Sequence, residues 1–186
     1  MRINKCNEQG LSLIESAMVL ALAATVTAGV MFYYNNAKEK HNLNESIKQI
    51  QTIAATVNKL YAGQSMNNEK DNYFLMQSIS EVSGIPLKSI GGELVYATPT
   101  GDGIKLEPPK SSDRVYRMEV KTNSRSSCMN FAALNLGTLM KGKTQVGGSN
   151  GIVSGHALTP SEANNECSKY SPTESSPVKV TYFLSY

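Results

Sequence analysis

From Ser16 to Tyr34 the sequence runs through nineteen positions without a charged residue. Coiled as a helix rising about 1.5 Å per residue, that run is close to 30 Å long, the thickness of a bilayer's hydrocarbon core. A removable secretory signal has a shorter apolar region ending at an Ala-x-Ala type site. Here the run leads straight into Phe32, Tyr33 and Tyr34, aromatics suited to a membrane interface, so an anchor is favoured over a discarded signal. Arg2 and Lys5 before the run face Lys38 and Lys40 after it, and charge counting leaves the orientation undecided. Glu15 stands at the start of the run. A carboxylate costs about 2.5–3.5 kcal/mol at the centre of a membrane helix and less near the interface. It therefore either marks function or sits at headgroup level. Ala17, Ala21, Ala24 and Ala28 recur every three or four positions and let helices approach closely, in a membrane or a fibre core. A lipid-facing anchor that packs with nothing would carry the same alanines.

Beyond the run the pattern changes without a proline. Leu43, Ile47, Ile50, Ala54, Val57 and Tyr61 recur at spacings of four and three, with Ile53 and Leu60 on the same face. Lys38, Glu45, Lys48 and Lys59 take other positions. That is an amphipathic helix with one buried stripe, and Gly63 is a reasonable stop. A helix from Leu11 to Ala62 would be about 78 Å long. Its second half is the spine against which a domain packs.

The rest of the 186 residues reads as α+β. A short helix is expected over 71–82, ended by Ser83, Gly84, Ile85 and Pro86. A first strand is expected over Gly91–Tyr96 and a turn over 98–103. Residues 115–121 alternate apolar and charged, a half-exposed strand with Val115, Val120 and, imperfectly, Met118 inward. Residues 127–139 read as helical, and 142–155 as a Gly- and Ser-rich loop. Thr159, Pro160, Ser161 and Glu162 form a capping box with Pro in the first turn, so a short helix should carry Cys167. Residues 178–184 are a strong final strand.

Composition excludes several functions. A formal charge of +3 with scattered Lys and Arg offers no basic stripe for nucleic acid. His41 and His156 are isolated, and Cys128 and Cys167 are neither a CxxC pair nor half of a zinc site, so neither metal nor cofactor is expected. A disulfide between Cys128 and Cys167 is the economical reading and implies an oxidising compartment; two free buried thiols is the alternative. Such a bridge would stabilise the fold by about 4 kcal/mol in the chain-entropy description. No Gly-x-Ser-x-Gly elbow occurs. Gly147, Gly148, Ser149, Asn150 and Gly151 lack the Lys and the strand-to-helix setting of a phosphate loop. Asp102 and Asp113 read as turn residues. No catalytic site is expected, and the chain is not read as an enzyme.

The polar decapeptide MRINKCNEQG ends at Gly10, and the stretch GLSLIESAMVLALAATVTAGVMFYY follows from Gly10 to Tyr34. This combination resembles the leader junction and N-terminal helix of type IV prepilins, and most of all the bundlin-like type IVb pilins. Shorter pieces of likeness recur at 91–94, 134–137, 158–162 and 180–183. The resemblance implies that a prepilin peptidase cuts after Gly10 on the cytoplasmic side and methylates the new amino terminus at Leu11. A Leu at that position points to the type IVb branch. Glu15 becomes the fifth residue of the mature chain, the position linked in the family to subunit registration, where a neighbouring subunit's N-terminal amine is a nearby cation. The region bounded by Cys128 and Cys167 packs beside the sheet in such pilins and shapes the outer surface.

The expected architecture is a long N-terminal helix packed on an antiparallel β-sheet head with short helices. Residues 1–10 are the leader, 11–34 the membrane or fibre-core helix, 35–62 its amphipathic continuation and 63–186 the head. The expected role is the major subunit of a type IVb pilus. It sits in the inner membrane before assembly, then polymerises with its own copies into an extracellular fibre that contacts host or bacterial surfaces. A minor pilin or secretion pseudopilin shares the architecture. An anchored extracytoplasmic enzyme or binding protein is a remote alternative that leaves Gly10, Leu11 and Glu15 unexplained together.

Overall fold

The computed structural model describes residues 13–66, 72–100, 103–109, 114–148, 155–172 and 176–186. Two compact units make up the chain, residues 1–41 and 42–186. Helix α1 (Leu13–Tyr61) supplies all the described structure of the first unit and opens the second. Its last turn carries Lys59, favourable at the negative end of the helix dipole, and Gly63 follows at φ 80°, where a Cβ would be strained. The helix stops one residue earlier than the periodicity suggested.

In the second unit α1 buries Ile50, Ile53, Ala54, Val57 and Tyr61, with Leu43, Ile47 and Leu60 packed partly against the same core. The expected stripe is therefore the buried one. It also includes Ser46 and Thr56, which no apolar count would select. Helix α2 (Asn72–Ser83) turns Leu75, Met76 and Ile79 inward. Its end is built from Gly84 at φ 73°, whose amide donates to Ser80 O, and the Ser80 hydroxyl in turn donates to Ile85 O.

Among the described residues six strands form an antiparallel sheet: β1 (Leu87–Ile90), β2 (Glu93–Tyr96), β3 (Ile104–Glu107), β4 (Val115–Thr122), β5 (Gln145–Val146) and β6 (Val178–Ser185). The order across the sheet is β1-β2-β3-β4-β6-β5. The expected first strand begins at Glu93 rather than Gly91. Gly91 and Gly92, at φ 59° and 81°, are the two-residue turn of a hairpin, with Ile90 opposite Glu93. Two successive left-handed residues match the strand twist only in such a turn, and glycine occupies them without strain. β1, β3 and β5 were not foreseen. Each is short, and β5 lies inside the stretch expected to be loop, whose residues 149–154 fall outside the described set, as do 101–102 of the expected turn.

On β4 Met118 and Val120 face inward as expected, and Val115 is the exception. Val115 is only half-buried, and Tyr116, Met118, Val120 and Thr122 point into the core. Opposite them on β6 lie Leu184, Tyr182, Val180 and Val178. Period-2 geometry makes Val115 and Val120, five apart, occupy opposite faces.

The helix expected over 127–139 is shorter. Helix α3 covers Arg125–Ala132, and after a break a 3-10 turn covers Gly137–Leu139. The break has a local cause. Gly137 sits at φ 65°, and its amide is claimed by the Asn135 side-chain oxygen at 2.8 Å, an Asx turn that competes with the helix ladder. Helix α4 (Pro160–Ser168) begins with the full capping box: Thr159 Oγ1 accepts from Glu162 N, and Glu162 accepts from Thr159 N.

Candidate functional site

The described part of the first unit is one helical surface. Twelve large hydrophobic residues between Leu13 and Tyr34 are 61–90% exposed, and none of the 18-residue apolar window, of mean hydropathy 1.8, is buried within the chain. The polar side chains in the run turn back on their own helix. Thr25 Oγ1 donates to Leu22 O, Thr27 Oγ1 to Ala23 O, and just beyond, Asn36 Nδ2 to Phe32 O, all at 2.7–3.1 Å. Satisfying these donors internally removes the penalty for placing them in an apolar surround. A helix apolar on every side, with its few polar groups self-satisfied, is built to be enclosed by lipid or by other helices.

Glu15 lies in the first described turn of α1 and is exposed. A carboxylate there is stabilised by the positive end of the helix dipole. Ala17, Ala21, Ala24 and Ala28 lie exposed along the same segment. Gly10 and Leu11 lie outside the described residues.

In the second unit the structure joins Cys128 and Cys167 by a disulfide, their Cα atoms 6.1 Å apart, so that α3 and α4 are linked covalently. Both cysteines are fully buried. Neighbouring contacts fix the same region. Lys143 Nζ reaches Glu162 at 2.9 Å, tying the α4 cap to the chain entering β5. Glu162 is exposed, yet its carboxyl is held down to about 2, first by Lys143 and then by the two Thr159 bonds. Gly147, at φ 89°, lies against the Tyr170 hydroxyl so closely that a Cβ would stand 1.9 Å from it. On α3, Phe131 O accepts from the buried Tyr182 hydroxyl of β6 at 2.6 Å.

The sheet face opposite the core carries a lattice of opposite charges. Glu93 on β2 accepts from Lys121 at 2.6 Å and from Lys105 at 3.1 Å. Lys105 also meets Glu107 at 3.7 Å, Glu107 pairs with Arg117, and Glu119 pairs with Lys179 at 3.4 Å. Lys121 and then Lys105 hold the Glu93 carboxyl down to about 2. The alternating charges of 115–121 are the visible signal for this lattice; Lys105 and Glu107 on β3 escape with that strand, and Glu93 lies on the expected first strand without its partners being legible there. Among the described residues no three His, Cys, Asp or Glu side chains gather where a metal ion could be held.

The profile of the bundlin family matches residues 35–185. The chain belongs to the bundlin family. The match covers the amphipathic half of α1 and nearly all of the head. Full-length relatives extend the likeness of this bundlin-family chain through the apolar segment. It is 36% identical over 196 aligned positions to the major structural subunit of bundle-forming pilus of Escherichia coli O127:H6 (strain E2348/69 / EPEC), covering 98% of this chain and 97% of that one. The corresponding protein of Escherichia coli O111:H- is 35% identical over the same spans. Among solved structures, the type IV b pilin from Salmonella typhi is similar with a TM-score of 0.47 and 13% identity, over 76% of this chain and 97% of that chain.

Proposed function

We propose that this bundlin-family chain is the major structural subunit of a type IVb pilus, made as an inner-membrane precursor and assembled with its own copies into an extracellular fibre. The observation that carries the reading is the apolar surface of residues 13–34. It is large, exposed on every side and supported by self-satisfied polar groups. The mature chain begins at Leu11 after a prepilin peptidase cuts behind Gly10, and the new amine at Leu11 is methylated. Each apolar helix leaves the bilayer only by exchanging lipid for neighbouring helices, with the alanine positions allowing close approach.

Glu15 sets the register of that packing. An enclosed carboxylate is costly unless paired, and the N-terminal amine of an adjacent subunit is the cation within reach. A neighbour slipped along the axis leaves the acid alone, so one stagger is favoured. The disulfide-bounded region 128–167 forms an outward surface of the head, and the fibre serves adhesion and bacterial aggregation. The named role of the relatives, major structural subunit of a bundle-forming pilus, supports this reading.

Mass spectrometry of the main component of sheared surface fibres tests it. The expected N-terminal peptide starts at Leu11 and carries one methyl group. In parallel, Glu15→Ala should leave cleavage behind Gly10 intact while fibre formation falls. A fibre component that retains residues 1–10, or Glu15→Ala fibres of normal yield and length, would refute the proposal.

A further inference from the structure

Ser46 stands in the buried stripe of α1 where the helical period calls for an apolar residue. It is the first fully buried residue along the described part of α1, and every residue from 17 to 41 is exposed. Ser46 Oγ donates to Asn42 O at 2.9 Å. That uses its one proton, so in the 3.3 Å contact with Thr100 Oγ1 the threonine is the donor. The Thr100 proton is then used as well, which makes Thr98 Oγ1 the donor in its 3.1 Å contact with Thr100 Oγ1. Thr98 Oγ1 in turn accepts from Gly103 N at 3.0 Å, and Gly103 O accepts from Lys121 N of β4 at 3.3 Å. Each hydroxyl in this row donates once and accepts once, all in one direction, the arrangement in which successive bonds polarise one another. Its far end is fixed by packing: Gly103, at φ 85°, lies so close to Val95 that a Cβ would stand 2.6 Å from Val95 Cγ2.

We infer that this hydroxyl row is a latch that sets where α1 parts from the rest of the second unit, closed at Asn42 and open at Ile50. What each stretch of the helix buries supports two settings. Between Asn42 and Gln49 only Ser46 is fully buried, and Leu43 and Ile47 are partly so. From there on Ile50, Ile53, Ala54 and Val57 are each at most 1% exposed. Apolar burial holds the later stretch by itself, so a release that starts at Asn42 halts at Ile50. The earlier stretch depends on hydroxyl bonds, which water replaces at small net cost. Once released it has little to keep it helical, because Asn42, Asn44 and Ser46 are poor helix formers and short unsupported helices are marginal in water. Opening frees residues 42–49, about 12 Å of helix, and leaves the sheet and the Cys128–Cys167 bridge in place. The free length of α1 thereby changes by about two turns without unfolding the core. The latch lies wholly within residues 42–186 and works the same whether or not the chain assembles.

Amide hydrogen exchange of the oxidised full chain in non-ionic detergent, read by mass spectrometry peptide by peptide, tests the latch. Thr100→Val keeps the side-chain shape and removes the hydroxyl, whereas Thr100→Ser keeps the hydroxyl and removes the methyl. Thr100→Val should speed exchange over 42–49 by about fivefold to tenfold, the change expected for one bond lost from a cooperative row. Peptides from 53–61 and 125–132 should keep the parent rates. Ser46→Ala should act like Thr100→Val, and the double variant should exchange no faster than either single one, because both cut the same row. Thr100→Ser should exchange like the parent. Unchanged protection over 42–49 in Thr100→Val overturns the latch, and so does an equal loss in Thr100→Ser, which would assign the hold to the methyl group. Faster exchange spread evenly through α1, α3 and the sheet overturns it too, since the hydroxyls would then support the whole core rather than one stretch of helix.

Discussion

Two buried tyrosines on neighbouring strands should respond in opposite directions to loss of the same atom. Tyr182 on β6 is fully enclosed, and its hydroxyl donates to Phe131 O at 2.6 Å, tying the sheet to the helix that carries Cys128. Tyr116 on β4 is equally enclosed, but its hydroxyl has no hydrogen-bond partner among the described residues. Burial pushes both phenols well above their ordinary range, so neither ionises at working pH. Tyr182→Phe removes a bond worth about 0.5–1.5 kcal/mol net. It does not wholly orphan the acceptor, because Phe131 O keeps Leu134 N at 3.0 Å. The loss should therefore stay near 1 kcal/mol rather than reach the full penalty of about 1–3 kcal/mol for an unpaired buried group. Tyr116→Phe removes a hydroxyl whose dehydration nothing offsets, and should be neutral or stabilise by up to about 1 kcal/mol. At this chain size 1 kcal/mol is about 2–4 °C in Tm. Near-UV circular dichroism melts of the oxidised full chain in non-ionic detergent should show Tyr182→Phe lowered by about 3 °C and Tyr116→Phe unchanged or raised. Equal shifts in the same direction would refute the reasoning, because ring packing rather than hydrogen bonding would then set the cost.

The depressed Glu93 carboxyl makes folding depend on pH with a definite sign. The folded chain binds fewer protons than the unfolded one, so stabilisation is complete above pH 4.5 and is lost as pH falls toward 2. Urea midpoints between pH 5 and 2 should fall less steeply for Glu93→Gln than for the parent, and parallel slopes would contradict the ion-pair assignment. Gly147→Ala should destabilise by about 2 kcal/mol through left-handed strain and displacement of Tyr170. Adding Tyr170→Ala should relieve the collision and leave the strain, so strictly additive losses in Tm would argue against the contact. Thr159→Ala should cost about 1 kcal/mol by opening the α4 capping box. Lys143→Ala, which breaks only the exposed ion pair, should cost under about 0.5 kcal/mol in the same melts.

What the sequence disclosed and what it hid divide along a physical line. Features encoded by one contiguous segment were readable. The uncharged run needs only its own length. The stripe from Leu43 to Tyr61 needs only the helical period, and the α4 cap needs four adjacent residues whose side chains bond to one another's backbone. The strands that went unseen are four residues or fewer, too short for periodicity to speak. For the β1–β2 hairpin the adjacent glycines at 91 and 92 were a turn signal, read instead as the opening of a strand. On β4 Met118 and Val120 were legible, but Val115 was not, because Tyr116 and Thr122 present hydroxyls to the core while Val115, the more apolar by type, stands at the rim. Burial there is set by the pairing of β4 with β6, sixty-odd residues away, and no local count contains that partner. The candidate site divides in the same way. Glu15 stands out because an acid beside an apolar run is anomalous by itself, whereas on α2, outside that site, Tyr73 and Phe74 look like ordinary core until the fold turns Leu75, Met76 and Ile79 inward and leaves them outside. In a chain that assembles, an aromatic residue has two apolar destinations, its own core or a neighbour's surface. Helical periodicity alone does not separate them, because both favour the same residue types; only the identity of the opposite face decides, and that is fixed by tertiary packing.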